Sequence, residues 1–129
     1  EFLTRQQTWD LQSCCDMLIS LHRAEGFGLA PAEMMYLGKP VVATGWSANM
    51  DFMTVDNSMP VHYTLAPLAE TLGDHAAECI GRLLDDDALR ASLGRRAALD
   101  VGAQLHPDTV GALVAGRLKA LARWYPGLA

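Results

Sequence analysis

The chain has 129 residues, a formal net charge of −5 and a half-hydrophobic composition, which fits a folded domain and excludes a disordered or collagen-like chain. The acidic balance speaks against sequence-independent nucleic-acid binding, which needs clustered Lys and Arg, but leaves open an anion held by backbone amides at a helix N-terminus. No apolar run approaches the length of a membrane span, and Glu1 to Arg5 lack the basic region and apolar stretch of a signal peptide.

The first stretch, residues 4–16, reads as a helix capped by Thr4, with Trp9, Leu11, Cys14 and Cys15 as its apolar positions. Residues 17–21 are a short apolar run suited to a parallel strand covered on both faces. Gly26 and Gly28 break the pattern in the loop 22–28. A helix follows over 29–37, with Pro31 tolerated in its first turn, Gly38 as its C′ residue and Pro40 beyond it. Residues 41–44 form a second strand. The loop 45–57 carries one helical turn after Ser47. Residues 58–63 are a third strand in which Pro60 marks an end or an edge.

Residues 64–73 connect this half to a helical remainder. Asp74 is expected to cap a helix with Ala76, Ala77, Ile80, Leu83 and Leu84 as its apolar positions. Asp85, Asp86 and Asp87 are a solvated start for the next helix, buried along Leu89, Leu93 and Ala97. His106, Pro107 and Asp108 open a last helix with Val110, Leu113, Val114, Leu118 and Leu121 on one face. Cys14, Cys15 and Cys79 read as small core residues in a reducing compartment, and no His or Cys pair has metal-ligand spacing. The layout is α/β, a small parallel sheet of about three strands flanked by helices, with a helical C-terminal tail. Doubly wound sheets usually have about five or six strands, so further strands are expected upstream.

The stretch that carries chemistry is Glu25-Gly26-Phe27-Gly28-Leu29-Ala30-Pro31-Ala32-Glu33, which leaves a strand and opens a helix. Ligands of open parallel sheets bind at the carboxyl ends of strands. There the glycines allow close backbone approach, and the amides of the first helical turn favour a diphosphate or a sugar oxygen. Ionised Glu25 and Glu33 are acceptor-only groups suited to hydroxyl pairs. A plain tight turn between strand and helix is the competing reading. His22 and Arg23 are either a catalytic pair or phosphate contacts or, for His22, a packed ring bonded to a backbone carbonyl and, for Arg23, a partner of a nearby carboxylate. Trp46 and Phe52 either wall a pocket or fill the core. Lys39 suits the end of the helix dipole, and Met34, Met35 and Tyr36 read as helix packing.

Ser20 through Leu29, then Glu33, then Gly38 through Thr44 resemble the C-terminal domain of GT-B glycosyltransferases, above all the large retaining group known as group 1 or family 4. Glu25 and Glu33 stand in its E-x7-E pattern. Gly45 through Met53 resemble the following loop of one bacterial branch, with Ala48 where glycine is more frequent, so a positive φ there would shift the loop. Asp74-His75-Ala76-Ala77 resembles the start of a family helix. The resemblance runs from about Asp16 to Asn57 and fades from Tyr63 onwards.

The resemblance implies a Rossmann-like GT-B donor domain, the whole chain being a single partial domain of a two-domain enzyme. A hexose would pass from a nucleotide sugar to an acceptor hydroxyl with retention. Glu25 is then the catalytic-site carboxylate that contacts the donor sugar. Gly26, Phe27, Gly28 and Leu29 face sugar and diphosphate, Glu33 holds the ribose, and Ser47 and Asn49 lie near the donor. No metal or cofactor is implied. The acceptor, whether glycan, lipid or small molecule, belongs to an N-terminal domain, and the family's phosphate-clamping basic residues lie upstream, so this chain alone is expected to be inactive. Trp124 and Tyr125 would anchor the tail against that domain. A role in polysaccharide assembly follows from family habit. The expected location is the cytoplasm, with peripheral membrane association an option for the full-length protein. Two alternatives stay open: a non-catalytic module binding a nucleotide or a protein, and a sugar-nucleotide epimerase or phosphorylase on the same scaffold.

Overall fold

The computed structural model describes residues 2–64 and 73–122. Helix α1 (Arg5–Ser13) starts at Thr4, whose hydroxyl accepts from the Gln7 amide while the Gln7 side chain accepts from the Thr4 amide. This reciprocal capping box satisfies two backbone donors that the helix cannot pair itself. Strand β1 (Leu18–Ser20) leads through the glycine loop into α2 (Leu29–Tyr36). Gly38 adopts φ 72° and ends α2 in a Schellman turn, with the Lys39 and Gly38 amides donating to the Met34 and Met35 carbonyls. Strand β2 (Val41–Thr44), a 3-10 turn (Ala48–Asp51) and strand β3 (Met59–Val61) follow. Helices α3 (Gly73–Asp85), α4 (Asp87–Gln104) and α5 (Pro107–Ala122) complete the described chain.

The sheet is parallel, three-stranded and open, in the order β1-β2-β3. Val42 is the register partner of Ile19 on one side and of Met59 on the other. Pro60 lies in β3, an edge of this sheet, where a strand residue without an N–H is tolerated. All four residues of β2 are buried. Alternation splits them between two cores. Val41 and Ala43 pack with Met34, Met35, Phe52, Met53, Ala97 and Val101 under α2 and α4, whereas Val42 packs with Met59, Val61, Ala76, Cys79, Leu83 and Leu93 under α3. Helix α4 serves both layers and makes its closest approach at Gly94, where a methyl group would stand 2.1 Å from the Gly38 carbonyl oxygen.

The α/β class, the three strands and the start of α4 agree with expectation. Asp86 caps α4, its carboxylate accepting from the Leu89 amide at 2.8 Å. Several burial expectations fail. Strand β1 is not covered on both faces: it is an edge, and Ile19 is 45% exposed. Helix α1 buries none of its residues, so Cys14 and Cys15 are exposed rather than in the core, and only Cys79 is buried. Tyr36, Ala77 and Leu84 face outward. So do Val110, Leu113, Val114 and Leu118 in the apolar stripe of α5, while Leu121 is partly buried. Helix α3 begins at Gly73, one residue before its expected cap. Trp124 and Tyr125 lie outside the described residues. No described helix is long and apolar enough to cross a membrane.

Candidate donor site at the carboxyl ends of the strands

Parallel pairing brings the loops after β1, β2 and β3 to one end of the sheet. They are tied to each other there. His22, just past β1, donates from Nε2 to the Trp46 carbonyl at 3.1 Å, and its Nδ1 lies 3.2 Å from the Ser20 hydroxyl. The Trp46 ring packs edge-on against Tyr63, beyond β3, with ring centres 5.0 Å apart. The Ser47 hydroxyl donates to the Glu25 carbonyl at 2.6 Å, which locks the β2 loop onto the glycine loop. Phe27 and Phe52 stack at 5.3 Å in a tilted pair.

Beneath this layer Asn49 is fully buried. Its amide donates to the Thr44 carbonyl at 3.0 Å and lies 3.4 Å from the Met53 sulfur. Gly28 stands directly on it with φ 89°, and a Cβ at Gly28 would lie 3.1 Å from the Asn49 Cβ. Glycine is therefore required twice, by backbone sign and by space. Asn49 supports the loop from below and has no surface of its own at the site. No positive φ falls on Ala48, so the shift that one would cause does not arise. Ser47 carries the positive φ, at φ 84° and ψ −168°, and Ala48 opens the 3-10 turn without it. The side-chain bond of Ser47 to Glu25 holds that conformation, which is otherwise almost confined to glycine.

The half-buried Glu25 turns its carboxylate back onto its own loop. Oε1 accepts from the Gly26 amide at 3.0 Å and from the Gly28 amide at 3.2 Å. No side chain caps α2, so the amides of Leu29 and Ala30 open its first turn without a side-chain partner. Phe27 and Leu29 are exposed beside them. Arg23 is exposed on the same loop. Glu33, deeper in α2 and half-buried, accepts from Gln12 Nε2 of α1 at 3.0 Å.

This end of the sheet thus combines a helix N-terminus, two loop glycines and two carboxylates. The backbone amides and the dipole of α2 suit an anion, and the carboxylates suit hydroxyl donors. Among the described residues no group of three or more His, Cys, Asp or Glu side chains could hold a metal ion. Residues 1–100 match the family described as glycosyl transferases group 1. The chain belongs to that family. The match covers all three strands, α1 to α3 and most of α4, and so extends well beyond the resemblance carried by the glycine-loop region. No curated protein matches the chain.

Membership makes this a domain of a glycosyl-transferring enzyme, for which a sugar donor and an acceptor are the partners. Within the group 1 chain, His22, Arg23, Glu25, Gly26, Phe27, Gly28, Leu29 and Ser47 gather at the ends of β1 and β2. Asn49 lies below them, and Glu33 lies further along α2. Sequence reasoning missed Gln12 and Thr44. Gln12 is one polar residue on an exposed helix, and nothing in its spacing marks the bond to Glu33, 21 positions away. Thr44 ends β2 with its hydroxyl buried and unbonded, as is the Asn49 amide oxygen, and such orphan atoms become visible only in three dimensions.

Proposed function

We propose that this chain is the donor-binding part of a two-domain, retaining GT-B transferase of family 4 type, which moves a hexose from a nucleotide-diphosphate sugar to an acceptor hydroxyl. The observation that carries the reading is the joint placement of Glu25 and Glu33 on the loop and helix that open at the carboxyl end of a parallel sheet, in the E-x7-E spacing. Glu25 contacts the donor sugar. The amides of Gly26, Phe27, Gly28 and Leu29 face sugar and diphosphate, and Glu33 takes the ribose hydroxyls. Ser47 and Asn49 hold the loop in place. His22 and Arg23 flank the phosphates, His22 chiefly by fixing the Trp46 loop through its carbonyl bond.

The nucleotide sugar is a substrate and the reaction needs no cofactor. Charge developing on the leaving diphosphate is met by fixed dipoles, the α2 N-terminus above all, which need no reorganisation as the bond breaks. Since Glu25 Oε1 occupies the Gly26 and Gly28 amides, a phosphate oxygen arriving there displaces the carboxylate. The released carboxylate then becomes an acceptor for sugar hydroxyls. The acceptor glycan, lipid or small molecule is bound by a further domain, and the enzyme works in the cytoplasm in polysaccharide assembly.

NMR titration with nucleoside diphosphates and nucleotide sugars tests the reading. Shifts should centre on Gly26, Phe27 and Gly28 and vanish in Glu33→Ala. A folded chain whose spectrum no nucleotide moves, together with a full-length protein that releases no nucleoside diphosphate from any sugar nucleotide offered, would sink it.

A further inference from the structure

Gln12 is the residue of α1 that reaches the site. Its Nε2 donates to Glu33 Oε2 at 3.0 Å across two helices, in a partly buried contact. The other end of the same carboxamide, Oε1, is buried and has no hydrogen-bond partner among the described residues. A buried acceptor left unpaired is costly, and a carboxamide has one donor end and one acceptor end to place. The side chain therefore lies in an orientation that is poor for its own oxygen and good for Glu33. The bond to an ionised carboxylate is the stronger kind and decides the outcome.

Stability of α1 does not account for this. The helix is capped by its own Thr4 and Gln7 and buries none of its residues, so it lies outside both cores. What Gln12 does is hold one oxygen of Glu33 and leave the other, Oε1, with no bond among the described residues. A carboxylate held in this way presents one oxygen in one direction instead of sweeping several rotamers, which lowers the ordering cost of a ligand hydroxyl bond.

We infer that Gln12 is a positioning residue that fixes the Glu33 carboxylate for the ribose diol of the nucleotide and thereby sets the preference for ribonucleotides over 2′-deoxyribonucleotides. This rests on the donor-site reading given above. The discriminating quantity is an affinity ratio, because a uniform change in charge or in the folded fraction cancels from it.

The experiment measures Kd of the chain for uridine, adenosine and guanosine 5′-diphosphates and for their 2′-deoxy counterparts, with Tm recorded for every variant. The unaltered chain should favour the ribonucleotide about tenfold, as expected of one hydroxyl bond to a charged acceptor. Gln12→Leu removes the donor together with the unpaired oxygen. It should bring the ratio near one with Tm unchanged within about 2 °C, well inside the shift that a lost structural bond causes in a chain of this size. Gln12→Lys, which keeps a donor within reach of Oε2, should retain the ratio. If Gln12→Leu keeps the full ratio while Glu33→Ala abolishes it, or if it lowers Tm and leaves the ratio alone, the inference is overturned and the donor-site reading stands. If neither the unaltered chain nor the full-length protein binds any of the ribonucleotides, the donor-site reading itself has failed and Gln12 loses its role with it. Binding without any ribose preference would overturn the inference and the ribose role of Glu33 together, leaving the diphosphate site intact.

Discussion

The Glu25 carboxylate and an incoming diphosphate compete for the same two amides, Gly26 and Gly28. Removing the carboxylate frees those donors and takes away a like charge. Glu25→Ala should therefore bind nucleoside diphosphates about three- to tenfold more tightly, the worth of about 1 kcal/mol of net hydrogen bonding, while glycosyl transfer by the full-length enzyme is lost. Isothermal titration of the two chains decides this, and weaker binding by the variant would show that Glu25 holds the loop open instead of filling it. Ser47 presents a second single-residue question. Its backbone sits at φ 84° and ψ −168°, and its hydroxyl holds Glu25 at 2.6 Å. Ser47→Ala loses the bond and keeps the backbone strain, whereas Ser47→Gly loses the bond and relieves the strain. Urea denaturation should find the glycine variant more stable by about 1 kcal/mol, although glycine also loosens the unfolded chain.

Contacts between elements hang on two places in α4. At Gly94 the helix meets the turn that ends α2, with no room for a methyl group beside the Gly38 carbonyl. Backbone cannot swing aside as a flexible side chain does. Gly94→Ala should therefore cost about 1–3 kcal/mol despite the better helix propensity of alanine, and thermal melting should show it as a fall in Tm of several degrees. One turn and a half further on, Asp100 accepts from Arg96 at 2.9 Å and from the buried Asn57 at 3.0 Å. Asn57 also donates to the Phe52 carbonyl and accepts from the Thr54 amide, so this cluster ties the loop between the 3-10 turn and β3 to α4. Hydrogen bonds from Arg96 and then from Asn57 hold the Asp100 carboxyl below its usual range, burial opposing them only in part. A carboxyl lowered in the folded state stabilises the fold above its unfolded value and loses that contribution as the pH falls through the folded value. The acid limb of stability below about pH 4 should accordingly flatten in Asp100→Asn, with stability near neutral pH reduced. An unchanged acid limb would remove Asp100 from the account.

For the whole molecule the decisive feature is which apolar stripes find a partner. Leu83 on α3 is fully buried against Val42 and Val61, whereas Leu113 on α5 is 68% exposed although it too sits in an apolar stripe. Leu83→Ala should cost about 2–5 kcal/mol, and Leu113→Ala should stay within about 0.5 kcal/mol. Equal losses on denaturation would mean that α5 is covered in solution. Strand β1 shows the same asymmetry: Ile19 is exposed at the sheet edge, while Val42, its register partner on β2, is shut in beneath α3.

Local chemistry made much of this readable without coordinates. Thr4, Gly38 before Pro40 and Asp86 ahead of α4 are start and stop signals that act within one helical turn, so the element order was legible from residue types alone. The glycine loop and the spacing of Glu25 and Glu33 were legible for the same reason, since each feature lies within a short stretch of chain. What needed tertiary structure was every relation between distant residues. Gln12 against Glu33, Ser47 against Glu25 and Gly94 against Gly38 pair positions 21 or more apart, and no periodicity encodes them. Burial was misread at β1, α1 and α5 because an apolar stripe states only that a residue can be buried. Whether it is buried depends on a second surface coming to cover it, and only the packed chain supplies that surface.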